Sequence, residues 1–395
     1  MSAITTVAVT LALAPFAAFA YAYIAYPAIL YVIAALRGRR LAPPARHDWP
    51  SVTVTVPVYN AEGTIAATLD RLLEIDYPRD RFQILVMSDA STDRTDEIVR
   101  EYAARGVETF RQAERRGKTM MENLAVGYAR GEIIVNVDST VLVPRDSLKP
   151  LMRAFDDPTV GVASGRDVSV GDAAGERTGG ESGYVDYEMK VRDLETRAGS
   201  IVGASGCFFG VRRAVHATPL PPELSWDFAS ALVARELGFR SVSVVDAVCI
   251  VPRTRALRTE MTRKVRTMAR GISTLFYKRA LMNPLRYGGF ALMLISHKLV
   301  RWLPYLLAPI ALVSLGVLAM QNSIARGVFG LTALGVVAGV LSMRWPRGSR
   351  PPKVLNLAGF VVAAFIAGFL AWFDAIRGKR MATWNPTPRP EAQLT

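Results

Sequence analysis

The sequence predicts an α/β sheet domain set between membrane-spanning helices, and three observations carry that prediction. Short β-branched runs alternate with longer amphipathic ones across residues 50–250. Polar residues gather where the strand-like runs stop: Tyr59 and Asn60, then Ser88 and Asp89, then Asp138. Uncharged stretches of bilayer length stand on both sides of this region.

Within the α/β region, "SVTVTVPVYN" reads as a first strand stopping at Pro57, and Ala61 to Ile75 as the helix after it. "RFQILVMSD" is a second strand, followed by a helix from Asp93 to Ala104. Val107 to Arg111 makes a short third strand, Lys118 to Ala129 a helix, and "EIIVNVD" the next strand. In an open sheet of this kind a ligand sits beyond the carboxyl ends of the strands, where the polar residues lie.

Met1 to Leu36 contains no Asp, Glu, Lys or Arg, and Arg37, Arg39 and Arg40 follow at once. A cleaved secretory signal carries its positive charge before the apolar stretch, so this one reads as a retained anchor with its amino end outside. Three further uncharged runs follow late in the chain: Trp302 to Ala325, Gly327 to Met343 and Val354 to Phe373. A buried helical core in a soluble protein is the plain alternative, and four such runs with basic flanks weigh against it. Between sheet and late runs, Leu257 to Leu281 interleaves Arg258, Arg263, Lys264, Arg266, Arg270, Lys278 and Arg279 with Met, Leu, Ile and Phe. That pattern fits an amphipathic helix on the cytoplasmic membrane surface, continued by "PLRYGGFALMLISHKLVRW" as a second interfacial or dipping segment.

The expected organisation is therefore an amino-terminal transmembrane helix (1–36), a cytoplasmic α/β domain (50–255), interfacial helices (256–300), carboxyl-terminal transmembrane helices (302–376) and a tail (377–395). If all three late runs cross, the tail with Arg377, Lys379 and Arg380 lies outside, against the positive-inside tendency. A dip over Tyr287 to Ile295, or a last run that does not cross, removes the conflict. The net charge of +14 is assigned to orientation and anionic lipid headgroups, so no nucleic-acid partner is expected. With only Cys207 and Cys249, neither a disulfide framework nor a cysteine zinc site is indicated, and His47, His216 and His297 lack zinc spacing.

Four stretches in order, "VPVYNAEGTI", "VMSDASTDRT", "GKTMMENLAVGYARGEIIVNVDS" and "GASGCFFGVRR", resemble the family 2 glycosyltransferases, membrane-associated enzymes with the glycosyltransferase-A nucleotide-sugar fold. The resemblance spans about Pro57 to Gly271. It implies a nucleotide pocket built from Pro57, Tyr59 and Asn60, with Asp89 reading the base and Lys118 meeting the sugar-diphosphate region. It places a Mg or Mn ligand at Asp138, with Asn136 where the first acid of a pair is expected, hydrogen-bonding the ribose or lending a neutral oxygen. Asp227 in "LSWDFASALVARELGFR" takes the position of the general base that removes the acceptor hydroxyl proton.

Arg263 and Arg266 match a "Q/R-x-x-R-W" signature and face the leaving diphosphate in this reading, although Thr267 stands where Trp is usual. Gly206, Cys207 and Phe208 fall on the acceptor side, and Trp226 offers a substitute surface for the missing Trp. Plain alternatives exist for each residue. Asp89 or Ser91 caps the next helix, Lys118 belongs to a solvated basic patch, Asp138 merely ends a strand, Ser225 caps a helix opened by Asp227, and Phe208 is core.

The resemblance as a whole implies an inverting transferase at the inner membrane, using a nucleotide sugar, a UDP-sugar in the first instance, and a growing polysaccharide or polyprenyl-phosphate-linked acceptor. A catalytically silent nucleotide-sugar-binding scaffold is the alternative. The departures at Ser88, Asn136, Trp226 and Thr267 keep it in view, and one retained acid in each altered pair argues against it.

Overall fold

Val and Thr alternate along β1 (Val52–Val58), and the alternation decides the layering. Val52, Val54, Val56 and Val58 enter one large core cluster with Ile65, Leu69 and Leu72 of the following helix. Thr53 and Thr55 point to the other face, where they are buried but hydrogen-bonded, Thr53 to Gln83 and Thr55 to Asn136. The computed structural model describes residues 3–38, 48–170, 179–252, 257–346, 352–378 and 383. The expected basic residues Arg39, Arg40, Lys379 and Arg380 lie outside the described residues.

The chain divides into two units, one of Met1–Ala28, Ala256–Phe276 and Leu294–Lys379, the other of Ile29–Arg255, Tyr277–Met293 and Arg380–Thr395. The second unit holds a seven-stranded sheet: β1, β2 (Phe82–Ser88), β3 (Val107–Arg111), β4 (Ile133–Val137), β5 (Val160–Val170), β6 (Phe208–Arg212) and β7 (Arg240–Pro252). Their spatial order is β3-β2-β1-β4-β6-β5-β7. The first four strands run parallel, β6 is antiparallel to both β4 and β5, and β7 is parallel to β5. The order reverses between β1 and β4. Such a switch point opens a crevice at the carboxyl ends of the strands, because the connections leave in opposite directions.

Helices cover both faces. Leu148, Leu151 and Met152 of Leu148–Arg153 join the β1 cluster, whereas Met121 and Ala125 of Lys118–Tyr128 pack on Leu85 and Met87 across the sheet. Beside them, Trp226, Ala229 and Val233 of Trp226–Glu236 cover Phe209 and Val211. Two helices start later than the periodicity suggests. After β1 the chain first makes a turn in which Thr64 and Ile65 both donate to Ala61 O, so the helix begins at Ile65. After β2 the helix begins at Thr95, whose N–H is accepted by Asp93 at 3.0 Å; neither Asp89 nor Ser91 caps it.

The long helices outside the sheet are apolar on their outer faces as well as their inner ones. Four helices are long and apolar enough to cross a membrane: Ala3–Arg37, Gly289–Ala319, Ser323–Met343 and Lys353–Ile376. Phe16, Val313, Leu331 and Val354 are exposed, a costly pattern in water and the usual one against lipid. Small residues let two of these helices approach closely: an added Cβ at Gly359 would come 2.5 Å from Ser342 Oγ, and Gly339 sits against Val362 with no room for one. Residues 289–300, read from sequence as part of a separate interfacial segment, instead form one continuous helix with the first late run. Apart from His297 and Lys298 these residues are apolar or small, and Ile295–Val300 carries the helix on in π-helical form. Leu257–Tyr277 is helical as expected, and a short 3₁₀ turn, Arg279–Met282, follows it.

Candidate active site

The loops that follow β1 and β2 are stitched to each other. Asn60 takes a left-handed conformation (φ 48°), accepts Thr92 N–H at 2.8 Å and donates to Thr92 Oγ1 at 3.1 Å. Ala61 N donates to Thr95 Oγ1 at 2.7 Å, and Arg94 N to Glu62 at 3.0 Å. Asn tolerates this backbone better than a residue without a short polar side chain. Tyr59 lies under the guanidinium of Arg115, 3.7 Å from its ring centre, a cation–π pair on the β1 side of the crevice. Pro57 is buried within β1.

Asp89 is fully buried, and its two oxygens accept Arg116 N at 2.6 Å and Gly117 N at 2.8 Å. Burial raises its pKa, and the two backbone donors with the Arg115 charge offset part of that rise. Asp89 holds the loop that delivers Lys118, because the carboxylate faces inward to that loop's backbone.

Lys118 opens its helix with Gly117 before it at φ 94°, a conformation that favours glycine. Its ammonium donates to Asp138 Oδ1 at 2.5 Å, lies 3.7 Å from Glu122 and comes within 3.5 Å of Gly206 O. Burial alone would lower the lysine pKa, but the charges of Asp138, Glu122 and Asp227 outweigh it and hold the ammonium above its ordinary value. It is a partnered cation at the crevice, not a solvated patch. Glu122, one helical turn on and 2% exposed, was not singled out from sequence, although its i, i+4 spacing from Lys118 was a readable signal.

Asp138 follows β4 directly and keeps about a third of its side chain exposed (31%). Its N–H donates to Cys207 O at 3.2 Å, which ties it to the loop before β6. Asp227 is the second residue of Trp226–Glu236 and half-buried. An added Cβ at Gly206 would come 2.9 Å from Asp227 Oδ2, so Gly206 is where the loop passes against the carboxylate. Ser225 occupies the amino-terminal cap position without a capping hydrogen bond from its side chain. Lys118, Asp138, Gly206 and Asp227 therefore converge at the β1–β4 switch point, although they lie far apart in sequence.

Three expectations for this site are overturned. Asn136 is buried (1% exposed) one pleat deeper than Asp138, where its side-chain oxygen faces Thr55 at 3.1 Å and His216 at 3.4 Å. Residues two apart on a strand share a face but sit about 6.6 Å apart along it, and here helices cover the deeper one. Trp226 is 2% exposed, stacked on His216 at 4.7 Å with Nε1 donating to Asn123 at 2.9 Å, so it is core and not a sugar platform. Phe208 is buried in the large core cluster, and only Gly206 and the half-buried Cys207 remain near the crevice. Arg263 and Arg266 belong to the apolar-helix unit, on Leu257–Tyr277, where burial and the neighbouring Arg270 and Arg263 lower the Arg266 pKa.

On the donor side a hard divalent ion would find one carboxylate, Asp138, with Oδ1 already engaged by Lys118. Among the described residues no three His, Cys, Asp or Glu side chains group as a metal cage. The donor set suits Mg or Mn only as a single-carboxylate site completed by water and by oxygens of a bound diphosphate.

The family model described as glycosyl transferase family 2 matches residues 53–218. A β-monoglucosyldiacylglycerol synthase of Synechocystis is 28% identical over 157 residues, 39% of this chain and 33% of that protein. A poly(ribitol-phosphate) β-N-acetylglucosaminyltransferase of Staphylococcus aureus is 33% identical over 107 residues, 27% of this chain and 19% of that protein. The chain thus spans a third or less of the length of these curated relatives. Among solved structures, a mannosyltransferase from Pyrobaculum calidifontis in complex with GDP-Man and Mn2+ superposes with a TM-score of 0.71 and 23% identity, over 95% of this chain and 99% of that one.

Proposed function

We propose, from the premise that this chain belongs to glycosyl transferase family 2 through residues 53–218 and has the glycosyltransferase-A fold, that it transfers a sugar from a nucleotide-sugar donor to a membrane-associated acceptor with inversion. The observation that carries the proposal is the convergence of Lys118, Asp138 and Asp227 around Gly206 at the switch point of the sheet. A cation, a donor-side acid and a second acid on a separate helix are the parts such a transfer needs.

In this reading Asp227, in the first turn of its helix and beside Gly206, accepts the proton of the attacking hydroxyl. Lys118 meets the negative charge that develops on the departing diphosphate, and exchanges part of its contact with Asp138 to do so. Asp138 would hold Mg or Mn, and the ion when bound neutralises charge on the diphosphate oxygens. The Arg115–Tyr59 pair faces the nucleotide, while Asp89 fixes the loop behind Lys118.

UDP-sugars are the first donors to test, and GDP-linked ones belong in the same screen because the mannosyltransferase of like fold was solved with GDP-Man. Of the two acceptor classes, growing polysaccharide and lipid-linked sugar, the four membrane-length helices suit either, with the catalytic unit at the cytoplasmic face of an inner membrane. The deciding experiment supplies the full chain in lipid with Mg or Mn and a panel of nucleotide sugars, and measures nucleoside diphosphate release. Wild type releases it from at least one donor. Asp227→Asn still binds that donor but loses transfer, about 10²–10⁴-fold. Donor binding without turnover by wild type would favour a silent scaffold instead.

A further inference from the structure

The three charged groups of the site come from three different elements, and one short loop touches all of them. Ala204 N donates to Asp227 O at 3.0 Å, Gly206 lies against the Asp227 carboxylate with its carbonyl toward Lys118, and Cys207 O accepts the N–H of Asp138. Whatever sets this loop sets the spacing of base, cation and donor-side acid. No proline stiffens it from within, and Gly206 leaves its backbone permissive.

Ser205 is held from outside by β5. Its N–H donates to Ser164 Oγ at 2.8 Å, and its hydroxyl lies 2.6 Å from each oxygen of Asp167. Asp167 is itself anchored, since it pairs in register with Cys249 of β7 and accepts the Cys249 thiol at 3.3 Å. Burial first, then the Asp167 charge, raises the Cys249 pKa well above its ordinary value, so the thiol stays protonated and remains a donor. Ser205 is 3% exposed and Cys249 fully buried, and Asp167 between them is half-buried.

We infer that Asp167 is a positioning residue for the transfer: by holding the Ser205 hydroxyl it fixes the Ala204–Cys207 loop, and through Gly206 and Cys207 the placement of Asp227 relative to Lys118 and Asp138. The inference rests on the active-site reading above. Nothing in the sequence marks Asp167, which lies outside every motif stretch. Its carboxylate touches no reacting group in this arrangement, and its effect passes through Ser205.

Full chain in lipid is used for the test, with Asp167→Ala, Asp167→Asn, Ser205→Ala and Asp227→Asn compared for kcat and for donor KM. A misplacement of about 1 Å can cost on the order of 10²-fold in rate, so Asp167→Ala and Ser205→Ala are expected to lower kcat by at least about tenfold. Donor KM should stay within about twofold, since the donor-side loops are held elsewhere. Asp167→Asn keeps an acceptor oxygen for Ser205 and should recover most of the lost kcat. Should Asp167→Ala fail to fold, Ser205→Ala carries the same comparison with only a hydroxyl removed.

If Asp227→Asn turns over like wild type, the active-site reading falls and this inference falls with it. If Asp227→Asn is inactive while Asp167→Ala and Ser205→Ala keep wild-type kcat, the inference alone is overturned. A loss in which KM rises in step with the fall in kcat, with no recovery in Asp167→Asn, also overturns it, because that is the signature of general structural damage.

Discussion

The two sides of the crevice are secured by different means. On the β1–β2 side, backbone groups meet short side chains: Thr92 N with Asn60, Ala61 N with Thr95, Arg116 N and Gly117 N with Asp89. On the β4–β7 side, buried and half-buried side chains meet one another: Asn136 with Thr55 and His216, Trp226 with His216 and Asn123, Ser205 with Asp167. Of the first kind, the Asn60–Thr92 bonds are exposed and can open locally while those of Thr95 and Asp89 are buried; the second kind is continuous with the core. Lys118 comes from the first side, Asp227 from the second, and Asp138 stands on the seam. A donor that must enter and leave is thus bounded by the looser side, and a base that must hold its aim is mounted on the stiffer one.

The largest effect expected from breaking the comparison is at Lys118, where the sides join. Lys118→Met removes the cation facing Asp138 and the buried Glu122, and diphosphate release should fall about 100-fold or more. Stability should fall as well, by about 3 kcal/mol, because partly buried carboxylates lose their counter-charge. Lys118→Met combined with Glu122→Gln separates the two losses: the thermal midpoint recovers and turnover does not. Recovery of turnover in the double variant would mean that Lys118 serves the fold alone.

How much of this was legible in the sequence follows the same divide. The parallel strands β1 to β4 and the polar residues at their ends could be read, because strand periodicity and the switch-point rule are local and topological signals. Asp138, Lys118 and Asp227 were singled out and the structure brings them together, but their contact depends on Gly206, whose meaning is only a missing Cβ. Asn136 and Trp226 were placed at the crevice because motif spacing records position along the chain and not depth below the surface. Asp167 left no trace, since a single aspartate in a strand has no pattern until its partner Ser205 is found across the sheet.

His216 tests the stiff side by pH. It is 1% exposed and stacked on Trp226, and burial lowers its pKa to about 4 from the ordinary 6.5. Between these values the unfolded chain binds more protons than the folded one, so stability rises with pH across the window. The contribution is fully present above about pH 6.5 and is lost as pH falls toward 4, amounting to about 3 kcal/mol at ~1.4 kcal/mol per pH unit. Thermal midpoints measured from pH 7 to 4 should drop accordingly in wild type, and His216→Phe, which keeps the ring stack, should flatten that slope. An unchanged slope would remove His216 as its source.

The smallest effect is expected at Asn60, where the loose side can be tested for ligand contact against plain stitching. The sequence placed Asn60 in the nucleotide pocket, and the structure shows its side chain engaged with Thr92. Asn60→Ala loses those bonds and also strains a left-handed backbone, at about 1–2 kcal/mol, whereas Asn60→Gly loses the bonds but relieves the backbone, at about 1 kcal/mol or less. If the role is stitching, the glycine variant is the more stable and its donor KM lies closer to wild type than that of the alanine variant. If Asn60 instead meets the nucleotide directly, both variants lose the same contact, and donor KM rises equally in the two whatever their thermal midpoints. The order of the two KM values therefore decides between the readings, independently of how large either change proves to be.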